Sequence, residues 1–138
     1  GASLLVGGER PADHALANGN FMTPALFGGV NASMRLAREE IFGPITSVLS
    51  WDDHETMLRT VNELPLGLTA VILTNDLNTA HRTAEAVEAG YVEVNGPVSF
   101  ALGSPYGGIK ESGYGREGSM DEMLAYTRTK SVNVRLRG

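Results

Sequence analysis

Thr69-Ala70-Val71-Ile72-Leu73-Thr74 is the stretch on which the fold turns. It is a short β-branched, apolar run, bounded by Gly67 on one side and by Asn75-Asp76 on the other, and it reads as a strand. Asn75-Asp76 supplies a helix cap, and Leu77, Ala80, Ala84 and Val87 then recur at helical spacing, with Gly90 as the expected C′ residue. Upstream, Ile45-Thr46-Ser47-Val48-Leu49-Ser50-Trp51 reads as a second buried strand. Asp52 stands three residues before Glu55 in the manner of an acidic capping box, Met57, Leu58, Val61 and Leu64 share one helical face, and Pro65 stops the helix. Downstream, Tyr91-Val92-Glu93-Val94 is the third strand. The pattern is therefore α/β: a parallel β-α-β-α-β core whose helices return the chain to begin each neighbouring strand. Near-continuous apolar strands imply helices on both sheet faces.

The flanks are less regular. Residues 3–6 read as a strand with Gly7-Gly8 as its turn, and short strands are expected around Phe21-Met22 and Ala25-Leu26-Phe27. Residues 95–118, rich in glycine and proline, read as a long ordered loop rather than an element. Ser119 and Glu122 form a second capping box, which opens a helix through Met123, Leu124 and Tyr126. Val132, Val134 and Leu136 alternate with Ser131, Asn133 and Arg135, so the C-terminus reads as an amphipathic strand that needs a partner sheet. The organisation expected is a domain over 1–129 and an associating strand over 130–138.

With 138 residues the chain suits one domain. Its net charge of −5, with no basic run, argues against nucleic acid. No apolar stretch is long enough to span a bilayer and no signal-like segment opens the chain, so a cytoplasmic location is expected. The absence of cysteine excludes disulfides, thiolate metal sites and thiol catalysis by these residues. The chain opens at Gly1 without a methionine, which suggests an excised, proteolysed or trimmed piece.

His14, His54 and His81 have no metal-site spacing and read as surface histidines, so no metal is expected. The P-loop pattern and Gly-x-Ser-x-Gly are missing; Gly113-Tyr114-Gly115-Arg116-Glu117-Gly118 has Gly-x-Gly-x-x-Gly spacing, but it lies in the glycine-rich loop with no strand read as leading into it, so it does not read as a dinucleotide-binding turn. Arg38-Glu39-Glu40-Ile41-Phe42-Gly43-Pro44 is more informative. A carboxylate at a strand entry can accept hydrogen bonds from vicinal ribose hydroxyls, and an aromatic two residues on can offer an apolar face to a flat ring. From the residues alone, Glu39 also reads as a solvated charge and Phe42 as core.

Glu40-Ile41-Phe42-Gly43-Pro44 is similar to a signature of the NAD(P)-dependent aldehyde dehydrogenase superfamily. The resemblance continues through Leu66-Gly67-Leu68-Thr69-Ala70, Gly90-Tyr91-Val92-Glu93-Val94-Asn95, and Ser104-Pro105-Tyr106-Gly107-Gly108-Ile109-Lys110-Glu111-Ser112-Gly113-Tyr114-Gly115-Arg116-Glu117, and it extends over essentially the whole chain. It implies that Glu40 binds the nicotinamide ribose, that Phe42 packs near the ribose and nicotinamide, and that Leu68 borders the nicotinamide. Phe100 and Tyr106 would line the aldehyde tunnel, with Tyr106 adding a hydroxyl where many relatives carry phenylalanine. Asn95 would end the third strand and bond the following loop. Glu117 falls on an acidic residue placed in a proton path, although capping of the following helix is an equal reading. Lys110 and Arg116 would hold the glycine loop.

In that family a cysteine thiolate attacks the aldehyde to form a thiohemiacetal, hydride passes to NAD or NADP, and an activated water releases the carboxylic acid. The resemblance places the cysteine, the general base and the oxyanion asparagine ahead of the segment seen here. This chain alone is then expected to be inactive and to bind NAD no better than millimolar. Its partners would be a small-molecule aldehyde and, through residues 130–138, further copies of itself. The alternative is a self-associating module without chemistry. The glycine-rich segment resembles both the succinate-semialdehyde branch and aromatic-aldehyde relatives, so the aldehyde stays open.

Overall fold

A computed structural model describes residues 1–96, 101–136 and 138. The chain divides into two compact units, Gly1–Thr60 and Val61–Gly138.

In the first unit, β1 (Ser3–Val6), β2 (Ala25–Gly28) and β3 (Ile45–Ser47) form one sheet in that order. β1 is antiparallel to β2, with a register irregularity between Leu4 and Val6. The expected Gly7-Gly8 turn is present, with φ of 70° and 81°, values that favour glycine. β2 and β3 are parallel, pairing Ala25 with Ile45 and Phe27 with Ser47. A parallel pair needs a long return. Residues 29–44 supply it, including the one-turn helix α1 (Arg35–Arg38). Phe21 and Met22 lie outside any strand, and the strand expected over 45–51 is only three residues long.

Helix α2 (His54–Asn62) carries its cap one residue later than expected. The Asp53 carboxylate, not Asp52, accepts from the Thr56 amide at 2.7 Å, and the Asp53 carbonyl takes the first helical hydrogen bond from Met57.

The second unit holds β4 (Leu66–Gly67), β5 (Thr69–Ile72), α3 (Leu77–Ala86), β6 (Tyr91–Val94), β7 (Ile109–Lys110) and α4 (Met120–Ala125). β5 and β6 are parallel across α3, in register from Thr69–Tyr91 to Ile72–Val94. Asp76 caps α3 as expected, accepting from Thr79 at 2.6 Å. The buried face of α3 is Ala80 and Thr83, whereas Leu77 is exposed. Val87 ends the helix in an extended conformation, so Gly90 is not its C′ residue. Gly90 serves close approach instead: a Cβ there would collide with the Gly107 carbonyl.

The α/β class holds, with one difference in pairing. Among the described residues β3 takes β2 as its ladder partner and β5 takes β6, so the parallel pairing there forms two ladders rather than the single three-strand core expected. Residues within β5 alternate between exposed and half-buried, and Val71 is 47% exposed. That alternation marks a strand covered on one face, contrary to the expectation of helices on both.

The glycine-rich segment is more regular than its composition suggests. β7 pairs antiparallel with β4, and Tyr106 and Glu117 exchange two backbone hydrogen bonds of 2.9 and 2.7 Å. Neither bond of the second capping box forms at the Ser119 N-cap. Glu122 accepts from the Gly118 amide at 2.7 Å, while the Ser119 hydroxyl, buried, makes no cap bond. Among the described residues, 131–136 make no ladder. Val132, Val134 and Leu136 stand 69%, 74% and 92% exposed, so the amphipathic segment lacks within this chain the sheet it was expected to need.

Candidate functional site

The acidic motif of the first unit lies on the crossover between β2 and β3. Its two carboxylates have different surroundings. Arg35 grips Glu39 with a two-pronged contact, Nε and Nη2 each 2.7 Å from a carboxylate oxygen, at the i,i+4 spacing of α1. That hydrogen bond holds the Glu39 carboxyl below its usual range and raises the Arg35 guanidinium. Both are solvent-exposed, so the pair adds little stability. The Glu40 carboxylate is exposed and has no hydrogen-bond partner among the described residues. Its oxygens are open to a ligand's hydroxyls.

Phe42 has φ of 52°, a left-handed conformation unusual for a bulky residue, and its ring is 92% exposed. Phe42 is therefore not core. Gly43 and Pro44 fix the entry to β3, since Ala25 donates to the Pro44 carbonyl at 2.8 Å and Ile45 to that of Gly43 at 2.7 Å. A strained aromatic held outward beside an unpaired carboxylate is the kind of feature that function retains.

The second unit contains a cavity of about 380 Å³. Leu68, Tyr106 and Glu117, three of the residues singled out from sequence, all line it. Leu68 sits between β4 and β5, and Tyr106 and Glu117 face each other in the backbone bridge. The Tyr106 ring meets that of Tyr91 edge-on, with centroids 5.5 Å apart. The Tyr91 hydroxyl donates to Glu93 at 3.0 Å. Burial, and then that bond, push the Tyr91 phenol above its ordinary value. Among the described residues no helix-capping bond engages the Glu117 carboxylate, and it is Glu122 that accepts from the Gly118 amide ahead of α4. Phe100 lies outside the described residues.

Arg116 braces the cavity wall. Arg116 Nη1 donates to the carbonyls of Gly108 and Gly115 at 2.7 and 2.8 Å. Lys110 reaches further than the glycine loop, donating to the carbonyls of Asn62 and Leu64 at 2.6 and 3.0 Å and pairing with Glu88. It thereby caps the end of α2, where a cation is favoured. Asn95 brackets Thr74, accepting from its amide at 2.9 Å and donating to its carbonyl at 2.7 Å. The described partner of Asn95 is thus Thr74, just past the end of β5, and residues 97–100 of the loop it was expected to bond lie outside the described residues.

Sequence reasoning missed Tyr91 as the support of Tyr106, and it missed the α4 contribution to the cavity. Glu122, Ala125 and Tyr126 all line it. Their i, i+3, i+4 spacing was the available signal.

The model of the aldehyde dehydrogenase family matches residues 1–132. The chain belongs to the aldehyde dehydrogenase family. It is 48% identical over 141 residues to aldehyde dehydrogenase tropH of Talaromyces stipitatus, an alignment covering 100% of this chain and 27% of that relative. It is similar in structure to the P. syringae indole-3-acetaldehyde dehydrogenase in complex with NAD+ and IAA (TM-score 0.88, 41% identity, 98% of this chain and 27% of the other). It is also similar to the Mycobacterium tuberculosis aldehyde dehydrogenase complexed with NAD+ (TM-score 0.87, 35% identity, 98% and 27%). This aldehyde dehydrogenase chain thus spans about a quarter of the length of the relatives it matches. Among the described residues, no helix is long and apolar enough to cross a membrane.

Proposed function

We propose that these residues serve an enzyme that oxidises an aldehyde to a carboxylic acid with NAD or NADP. The observation that carries this reading is the cavity shared by Leu68, Tyr106 and Glu117 in a member of the aldehyde dehydrogenase family. Residues 1–129 are read as part of the catalytic domain and 130–138 as an oligomerisation strand. The cytoplasm is the proposed location.

Glu40 and Phe42 fit a nicotinamide nucleotide: an unpaired exposed carboxylate suits ribose hydroxyls and an exposed ring suits a flat base. When bound, the nucleotide would supply the hydride-accepting chemistry. Leu68 would exclude water beside it. Tyr106, and Phe100 with it, would shape the aldehyde's path, and the Tyr106 hydroxyl can hydrogen-bond a polar substrate group. Glu117 would hold or pass a proton at its carboxylate. The nucleophilic thiolate would come from residues other than these, since this chain has no cysteine.

The isolated chain is then inactive and binds NAD+ only weakly, because one carboxylate and one ring offset little of the cost of association. Assay of the purified chain with NAD+ and aldehydes checks this, and turnover free of full-length contaminant refutes it. In the full-length enzyme that carries this segment, Glu40→Gln is expected to raise KM for the nucleotide several-fold. An unchanged KM would remove Glu40 from the nucleotide site. Self-association without chemistry is the outcome if the encoding reading frame contains no cysteine.

A further inference from the structure

Two Asn-Gly pairs occur in the chain, Asn18-Gly19 and Asn95-Gly96, and the structure treats them differently. In an Asn-Gly pair the glycine amide nitrogen, unhindered by a side chain, can attack the asparagine Cγ. The Gly amide proton passes to hydroxide or buffer base, the N–Cγ bond forms, and the Cγ–Nδ2 bond breaks as water or buffer acid returns a proton to Nδ2 and ammonia leaves. Water then opens the succinimide at either carbonyl, giving aspartate or isoaspartate. The sum is amide plus water to carboxylate plus ammonium, and no oxidant or enzyme is needed.

The reaction requires the side chain to swing onto the following amide, so whatever holds the carboxamide slows it. The Asn95 carboxamide is held at both ends, Oδ1 by the Thr74 amide at 2.9 Å and Nδ2 by the Thr74 carbonyl at 2.7 Å. Its backbone is fixed too, since Asn95 donates to Ile72 at 2.8 Å and has φ of 57°. The Asn18 side chain is exposed and has no hydrogen-bond partner among the described residues. Among the described residues the site is restrained by the bond from the attacking Gly19 amide to the Leu16 carbonyl, 3.1 Å long, by Arg10 Nη1 on the Ala17 carbonyl at 3.4 Å and by the Phe21 ring beside Gly19, none of which holds the Asn18 carboxamide.

We propose that Asn18 is a self-modification site of this protein, and that the Thr74 bracket protects Asn95 from the same chemistry. The inference stands apart from the aldehyde reading. Its consequences also differ by site. Conversion at Asn18 adds one negative charge to an exposed turn. Conversion at Asn95 replaces the Nδ2 donor with a carboxylate oxygen facing the Thr74 carbonyl, and opens the bracket that ties the end of β6 to that of β5.

The test is incubation of the intact chain in mildly alkaline buffer, with site-resolved mass spectrometry over time, in native buffer and in concentrated urea. In native buffer Asn18 is expected to convert roughly tenfold or more faster than Asn95, the factor that holding two side-chain hydrogen bonds implies. In urea the two rates should draw level. The Asn18→Gln chain should lose the early acidic species on ion exchange. Equal native rates, faster conversion at Asn95, or a rate ratio that urea leaves unchanged would each overturn the proposal.

Discussion

The rings of Tyr106 and Tyr91 meet edge-to-face, 5.5 Å between centroids and 62° between planes. This contact joins β6 to the glycine-rich segment at the wall of the cavity. Tyr106 is also pinned by its backbone bridge to Glu117, so the ring is fixed from two directions. An aromatic pair of this geometry contributes about 0.5–1.5 kcal/mol beyond its buried area. A double-mutant cycle of Tyr91→Leu and Tyr106→Leu, read by urea denaturation, should therefore show a coupling of about that size. Additive effects would mean that the rings do not support one another.

The Tyr91 phenol carries a pH signature as well. Its value is raised in the folded chain by burial and by the bond to Glu93. The folded state then holds this proton more tightly than the unfolded state does. The associated stability is complete below the unfolded tyrosine value of about 10 and is lost as pH rises through the folded value. Tyr91→Phe, which keeps the ring but has no proton to lose, should flatten the alkaline arm of the stability profile.

Gly90 and Gly107 approach so closely that a side chain at position 90 has nowhere to go. A Cβ at Gly90 would strike the Gly107 carbonyl, and backbone cannot move aside as a flexible side chain can. Gly90→Ala is expected to cost roughly 1–3 kcal/mol, the range for overpacking. It should also displace the Gly107-Gly108 wall of the cavity, visible as shifts in the amide signals of Gly107, Gly108 and Arg116. An unchanged denaturation midpoint would show that the two segments separate easily.

Much of this arrangement is local, and local features were legible in the chain. The β5 run, the Asp76 cap and the Gly7-Gly8 turn each depend on a few adjacent residues. The parallel partner of β3 was not legible, because hydrophobic pattern specifies a strand without naming its neighbour. Asp52 and Asp53 are equally good caps by composition, and only backbone geometry selects Asp53. Leu68, Tyr106 and Glu117 were reached through a family resemblance spread along the sequence. Tyr91 was not, since its role arises from a contact with a residue fifteen positions away. The outward ring of Phe42 comes from a left-handed backbone that no residue preference announces.

The helix caps set the acid side of the stability profile. Hydrogen bonds from Thr56 and Thr79 hold the Asp53 and Asp76 carboxyls below their usual range. Their folded values lie below the unfolded ones, so the stability they provide is present above about pH 4 and is lost as pH falls through the folded values. Helical circular dichroism should decline over that interval. Asp76→Ala is expected to lower the denaturation midpoint at neutral pH, and Asp76→Asn much less because the amide oxygen still accepts from Thr79. Asp76→Asn should also soften the acid transition, whereas loss of helix at the same pH in the parent chain and in Asp76→Asn would assign that transition to other carboxylates.

The C-terminal segment gives a direct test of self-association. Val132, Val134 and Leu136 lie on one side of an alternating pattern and are largely exposed, while Ser131, Asn133 and Arg135 lie on the other. An extended segment of this kind gains main-chain hydrogen bonds and apolar burial together when it adds to a sheet edge of another copy. Sedimentation of the chain should therefore reveal an assembly that deletion of residues 130–138 reduces to smaller species. Because the burial is apolar, moderate salt should leave the assembly intact, whereas Val134→Asp should weaken it nearly as much as the deletion. An assembly unaffected by both changes would transfer the association to another surface and leave these residues without the strand-exchange role.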